Sequence, residues 1–495
     1  MQAYYRRLSE LMLFRFLLAQ LYLGSLIGKK SPKAIKIALK RLPAGSEAYD
    51  YAYKEVMERI EGQIEDSEKL AKDILSWITR AKRPLTTLEL RHALAVEIGA
   101  SELDEENLPE IKDMVSVCAG LVTVDEESDI IRLIHYTTQE YFQRTWASWF
   151  PNAEGDIGTA CVTYLSYNTF EAGCCPKRDF QKRLRENALY GYAAQNWAYH
   201  ARTALIESEQ LILNFLESEP KVSGSFQAVV ASLVNYYKID LERSEQIKVK
   251  GVHLAAYFGL TKTIRILLKN GHDKDSKDDY AQTPLSWAAS EGQEEVVKLL
   301  LEEGVDADSK DDCGQTPLSR AAENGHEAVV KQLLAIDGVD VNSKDNGSRT
   351  ALSWAAGNGH EVVVKQLLAI DGVDVNSKDK YGGQTALWWA ARNGHKAVVK
   401  LLMVNGVDVS SKDDNGGQTA TWAATWAAGY GDEAVVCIDR TRSGQGMGTP
   451  MSIKTVNRTN RREKGEGIIA KLTMMIRRSS LNTPPRLLNI VLRTL

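Results

Sequence analysis

The sequence predicts a mainly α chain whose carboxy-terminal half is a stacked α-solenoid, and three observations carry that reading. Thr283-Pro284-Leu285-Ser286-Trp287-Ala288-Ala289 recurs as Thr316-Pro317-Leu318-Ser319-Arg320-Ala321-Ala322, as TALSWAA from Thr350, as TALWWAA from Thr385 and brokenly from Thr419. Gly259, Gly292, Gly325, Gly359 and Gly394 keep the same step of 33 to 35 residues, which marks a stacked array. Ahead of the array, residues 67 to 150 set three amphipathic helical patterns before two short β patterns, residues 1 to 66 alternate helical patterns with a basic loop and a break at Pro43 to Ser46, and residues 151 to 246 are helical.

Each unit of the array can be built from its residues. Thr caps the orphan amides of a first helix, and Pro284 or Pro317 takes the first helical position, where its missing N–H costs nothing. Small residues such as Ala288 and Ala289 let neighbours approach, and Gly292 permits the left-handed turn that ends the helix. A second helix follows with Val296, Val297, Leu300 and Leu301. Neither helix buries its apolar face alone, so each stacks on the next unit. Asp-rich segments such as Val373 to Asp379 read as exposed turns between helix pairs.

These motifs resemble ankyrin repeats, five or six of them over residues 247 to 438. The first unit, KGVHLAA from Lys250, lacks Thr-Pro, and the last duplicates a tetrapeptide in TATWAATWAA before its second helix stops at Cys437. The residue after TPLS or TALS is Trp287, Arg320, Trp354, Trp389 and, by register, Trp426. The resemblance puts this position on the first helix, facing a concave groove. Trp and Arg dominate binding hot spots, so these five are the candidate contacts for a protein partner. The alternative is that the indoles pack between repeats. Asn-Gly-His at 324–326, 358–360 and 393–395 repeats a histidine at a step of about 10 Å, too far to share a metal at about 2 Å. Hydrogen bonds to turns are the expected role.

Composition narrows the function classes. A length of 495 residues with 44% hydrophobic and 25% charged side chains is ordinarily globular, about three domains. The net charge of −4 hides basic ends: nine bases and one acid in residues 1 to 42, twelve and three in 439 to 495, leaving about −21 between. Such a body repels phosphate backbones. Six cysteines without CxxC spacing fit a reducing compartment, and the cytoplasm is expected, with the nucleus as the alternative. The apolar stretch Leu11 to Leu23 is interrupted by Arg15 and Gln20 and is too short to span a bilayer.

Taken in order, Gly24 to Ser31 approaches the phosphate loop GxxxxGK[ST], but it has one residue too few between glycines, an extra Lys, and a Leu-rich helix where a strand belongs. It reads as a basic loop, in a first domain of residues 1 to 66. Residues 67 to 150 place helices at Leu70 to Arg80, after Pro84-Leu85-Thr86-Thr87, and at Ile111 to Cys118, then strands at Leu121 to Val124 and Ile130 to Ile134. That is the order of a winged helix. Residues 97 to 129 hold eleven acids and the single base Lys112, so DNA binding is not expected.

EAYDYAYKEVMERIEGQ, LAKDILSWITRAKRPLTTLELRHALAV and IRLIHYTTQEYF are similar to the winged-helix segment, of GPI inositol-deacylase type, that follows the NACHT domain in fungal NLR-like proteins of the STAND class. The resemblance implies that residues 1 to 66 are the last helices of a NACHT domain whose phosphate loop lies upstream. It also places the family's nucleotide-sensing histidine at His135, followed by Thr137 and Thr138 without the family's next Asp. Lacking a phosphate loop beside it, His135 reads first as structural.

Residues 151 to 246 resemble the helical adaptor of the same proteins. Cys174, Cys175 and His200 are metal-ligating types, but adjacent cysteines lack chelating spacing, and no metal is expected. The basic tail, 439 to 495, reads as disordered, an array continued in another frame or through an unspliced segment, with nucleic acid or anionic membrane as the competing reading. No nucleophile with a base and no carboxylate pair emerges. The expectation is a non-enzymatic protein-interaction module with no cofactor.

Overall fold

The computed structural model describes residues 47–202, 209–237 and 248–408, with Ser31, Lys33 and two three-residue strands besides. The remaining amino-terminal residues, the loop from Gly24 to Lys30, Trp426 and most of the basic tail lie outside the described residues. The chain divides into two compact units, residues 1–234 with 239–254 and residues 235–238 with 255–495.

In the first unit, α1 (Glu47–Glu61) buries Tyr53, Val56, Met57 and Ile60, one face of a helix. The next helix, α2 (Glu65–Arg80), starts five residues before the expected Leu70, because Glu65, Asp66 and Glu68 suit the positive end of the helix dipole. Thr86 caps α3 (Thr87–Leu94) in a full capping box: its hydroxyl accepts from the Glu89 amide at 3.1 Å, and the Glu89 carboxylate accepts from the Thr86 amide at 2.9 Å. Such a cap contributes about 1 kcal/mol. After α4 (Ile111–Val117), β1 (Val122–Asp125) and β2 (Ile130–Leu133) pair antiparallel, Val122 opposite Leu133 and Asp125 opposite Ile130. Then comes α5 (Tyr136–Trp149). Three helices and a hairpin stand within a residue or two of the predicted places, α2 excepted.

The helical segment behind it contains α6 (Ala153–Leu165), α7 (Lys177–Glu186), α8 (Tyr190–Ala201), α9 (Glu209–Glu217) and α10 (Glu219–Tyr237). α6 packs on α8 at a glycine: a Cβ on Gly158 would sit 3.0 Å from the Ala201 amide nitrogen. Phe170 stacks on Tyr190 with ring centres 4.4 Å apart, and Trp197 meets Phe215 edge-on at 5.5 Å.

A polar chain runs through this apolar core. Buried Glu154 accepts from Arg80 Nε at 2.8 Å and from His200 Nδ1 at 2.5 Å. His200 Nε2 lies 3.0 Å from the Tyr192 hydroxyl, which accepts from the Lys82 amide at 3.1 Å. Arg80 also lies over the Trp146 ring at 4.2 Å. His200, weighed from sequence beside Cys174 and Cys175, is thus a buried link between α6 and α8. Gln227 is the partner of Cys175, accepting from its amide at 3.0 Å and donating to its carbonyl at 2.7 Å. No group of three or more His, Cys, Asp or Glu residues gathers at metal-binding distance among the described residues.

Asp73 gives this unit a pH dependence. Burial pushes its carboxyl up to about 6, helped by Asp156 and opposed by Lys69. A carboxyl raised above its unfolded value of about 3.9 contributes stability below that value and loses it as pH rises through about 6. Asp73→Asn is therefore expected to stabilise the unit by about 1–2 kcal/mol at pH 7, after allowance for partial exposure, and by little at pH 4. Urea titrations of the two proteins at both pH values measure this difference.

Helix pairs then repeat: α11 (Gly251–Tyr257), whose first four residues belong to the first unit, with α12 (Thr261–Lys269), and in the second unit α13 (Pro284–Ser290) with α14 (Glu294–Glu302), α15 (Pro317–Asn324) with α16 (Glu327–Leu334), α17 (Ala351–Asn358) with α18 (Glu361–Leu368), and α19 (Ala386–Arg392) with α20 (Lys396–Val404). From α13 onward first helices stack on first helices, and from α12 second on second. The apolar run of each second helix is buried between neighbours, as at Val329, Val330 and Leu333, each contributing about 1.5–3 kcal/mol.

The Asn-Gly-His motif clamps consecutive pairs, the expected role of hydrogen bonds to turns. His326 Nε2 donates to the Ser290 carbonyl at 2.8 Å, His360 to that of Glu323 at 2.9 Å and His395 to that of Gly357 at 3.0 Å. Asn358 and Asn393 donate to the same two carbonyls as His360 and His395, at 2.9 and 2.6 Å.

Two expectations for the array are corrected. The Asp-rich turns are not simply exposed: Ser377 and Asp379 are buried, because the loop folds back onto its own first helix. Backbone bonds also join successive loops, Asp312 to Tyr280 at 2.9 Å, Asn346 to Cys313 at 2.8 Å and Lys380 to Gly347 at 2.8 Å. Further on, β3 (Val435–Cys437) pairs antiparallel with β4 (Lys454–Val456), where a helix ending at Cys437 and a structureless tail are expected.

Candidate protein-interaction face

The predicted partner-binding position is built by a threonine and an aspartate of the same repeat. Thr283, Thr316, Thr350 and Thr385 each accept from the amide three residues on, at 3.2 to 3.4 Å, and so fix where the first helix starts. Nine residues before the Trp or Arg, or ten in the last described repeat, stands Asp278, Asp311, Asp345 or Asp379. One oxygen of Asp278 accepts from the amides of Tyr280 at 2.9 Å and Gln282 at 2.8 Å, bracing the loop, while the other accepts from the Trp287 indole at 3.0 Å. Asp345 and Asp379 hold the indoles of Trp354 and Trp389 likewise, both at 3.0 Å, and Asp311 takes the guanidinium of Arg320 at 3.0 Å from Nε. Burial raises the Asp278 carboxyl above its ordinary value, outweighing its hydrogen bonds from Gln282, Tyr280 and Trp287.

This arrangement answers part of the choice between groove and packing. Trp287 is 6% exposed and meets Tyr257 edge-on at 5.7 Å, so it is not an open groove residue but part of the stack. Arg320, Trp354 and Trp389 are half-buried, each with one polar edge held by its aspartate. Sequence reasoning missed the aspartates, although their fixed interval before Trp or Arg was there to be found. It also missed Arg349, whose guanidinium carbon lies over Trp354 at 4.7 Å and over Trp389 at 4.1 Å, and 5.3 Å from the exposed Tyr381 ring.

Comparison with known families agrees with this geometry. A family model of ankyrin repeats matches in three copies, over residues 252–345, 336–413 and 352–437. The helix pairs are ankyrin repeats. Residues 57–148 match the winged helix domain of GPI inositol-deacylase, so the three helices and hairpin form a winged-helix domain, and that match opens inside α1. No curated protein matches the chain.

Within the winged-helix domain, a cleft of about 670 Å³ opens beside the hairpin, with Lys82, Arg83, Arg132 and His135 among its walls. Its cations are engaged. Arg83 forks Glu89 at 2.9 and 2.6 Å, Arg132 pairs Asp125 at 2.9 Å, and Lys82 sits over the Tyr199 ring. His135 caps α5: its Nδ1 lies 3.3 Å from the Thr137 amide and 2.9 Å from the Thr137 hydroxyl, which in turn lies 2.6 Å from the Tyr53 hydroxyl. The third helix carries only Lys112, paired with Glu110 at 2.6 Å, leaving no cationic surface for a phosphate backbone there. No helix of the described residues is long and apolar enough to cross a membrane.

Proposed function

We propose that the chain is a protein-interaction and regulatory module of a fungal NLR-like receptor of the STAND class, binding its partner on the first-helix face of the ankyrin array. The observation that carries this reading is the repeated Asp anchor, which presents Arg320, Trp354 and Trp389 half-open and in register at successive repeats. Large, immobilised Trp and Arg side chains bind with little entropy loss. Trp287 is buried in the stack against Tyr257, and Trp426, which shares the position in the sequence register, lies outside the described residues. The winged-helix domain ahead of the repeats supports the receptor assignment. In this reading His135 holds α5 in place and would report on nucleotide only through a neighbouring domain. The free cysteines, with Cys118 and Cys161 buried, accord with a reducing cytoplasm.

The test is a quantitative pull-down from host lysate with the full chain and with its Trp354→Ala, Trp389→Ala double variant, each checked by circular dichroism. Loss of about 2–6 kcal/mol of binding, hence of the captured partner, is expected from two hot-spot truncations. A partner retained by the folded double variant would place the binding surface elsewhere.

A further inference from the structure

We infer that the surface centred on Arg349 seats the carboxylates of an acidic protein segment. The inference rests on the interaction reading above and names the chemistry of the partner. Arg349 occupies the position that Gln282, Gln315 and Gln384 hold in the other repeats, immediately before the capping threonine. There its guanidinium lies over two indoles of consecutive repeats, Trp354 and Trp389. Its own aspartate is spent: Asp345 accepts from the Arg349 amide at 2.8 Å with one oxygen and from Trp354 at 3.0 Å with the other.

Among the described residues the Arg349 guanidinium therefore has aromatic faces but no acceptor, and its Nε–H is buried without a hydrogen-bond partner. Arg320, one repeat earlier, has a carboxylate of its own repeat, Asp311, on its Nε edge, which is the acceptor that Arg349 lacks. Arg392 extends the cationic surface, exposed and within 5.6 Å of the Trp389 ring.

Charge along the array points the same way. Residues 273–345 carry eighteen acids and seven bases, whereas 346–408 carry five acids and seven bases. The end of the described array is the basic stretch of an acidic body, so an acidic segment is steered to it and repelled by the repeats before it. A carboxylate is planar and matches the guanidinium edge two bonds at a time, so it can meet Arg349 while the indoles keep the guanidinium faces covered.

The experiment uses the full chain and a fluorescein-labelled peptide of alternating glutamate and glycine, read by fluorescence anisotropy. The peptide is expected to bind, its glutamine counterpart at least about 10-fold more weakly, and Arg349→Ala to weaken the glutamate peptide about 30-fold, the size of a hot-spot loss. Arg349→Lys keeps the charge and the aliphatic stem but not the fork, and should fall between the two. Because Arg349→Ala removes part of the stack, Arg392→Ala, which leaves Arg349 over its indoles, should also weaken binding several-fold.

Equal binding of both peptides, no binding, or full binding by Arg349→Ala with unchanged circular dichroism overturns the inference. A phosphoserine counterpart binding 10-fold tighter than glutamate also overturns it, in favour of a phosphate site. If lysate capture depends on Trp354 and Trp389 but not on Arg349, the interaction reading stands and this inference fails.

Discussion

Replacing Glu154 by alanine is expected to destabilise the first unit by about 3–5 kcal/mol, because it strands buried His200 and part-buried Arg80 without their shared acceptor. The loss is not the worth of a surface ion pair, which would be under about 1 kcal/mol. Both partners of Glu154 are held in place by other groups, Arg80 by the Trp146 ring and His200 by Tyr192, so neither can swing out to water cheaply. Glu154→Gln keeps the shape and one oxygen acceptor but no charge, and should cost about half as much. Hydrogen exchange read on residues 153–201 checks this: alanine should speed exchange in α6 and α8 roughly 100-fold or more, while the ankyrin repeats keep their protection.

The same carboxylate links stability to pH. Burial works to raise its pKa, but hydrogen bonds from His200 and Arg80 outweigh it and hold the carboxyl below the usual range. A carboxyl so depressed contributes stability that is present above its unfolded value of about 4.3 and is lost as pH falls through the folded value. The difference between wild type and Glu154→Gln should therefore shrink in acid. An unchanged difference from pH 7 to pH 3 would show that charge is not what Glu154 contributes.

Local rules made much of this chain legible and non-local pairing made the rest opaque. Thr caps, Pro284 and Pro317 at first helical positions and the left-handed Gly325 and Gly359 act within a few residues, so a repeated string reports them directly. The hairpin was legible for the same reason, since Val122-Thr123-Val124 and Ile130-Ile131 flank an acidic turn. Glu154, by contrast, meets residues 46 and 74 positions away in the chain, and nothing about an isolated Glu, His or Arg announces that meeting. The Asp to Trp bond lies between these cases. Its interval is fixed and short, but an Asp in a loop reads as solvated until its partner on the helix is known, and so the sequence alone leaves Trp287 between groove and stack.

Gly325→Ala is expected to cost about 2–5 kcal/mol in the ankyrin array, and two separable causes make up that figure. Gly325 ends α15 at φ +78°, where an L side chain costs about 1–2 kcal/mol. The added Cβ would also lie 2.5 Å from His360 Nδ1, a residue of the following repeat, so the histidine must move. Moving it breaks the bond from His360 Nε2 to the Glu323 carbonyl, and crowding of this kind typically costs a further 1–3 kcal/mol or so. His360→Ala separates the two: in that background Gly325→Ala should cost only the backbone share, leaving a coupling of about 1–3 kcal/mol between the positions. Because each repeat is stabilised chiefly by its neighbours, the loss should appear as uncoupling of the pair at this junction, with faster hydrogen exchange in α15 through α18 before the rest of the array responds. A Gly325→Ala cost that is the same with and without the His360 imidazole would mean that glycine is required here by the backbone alone.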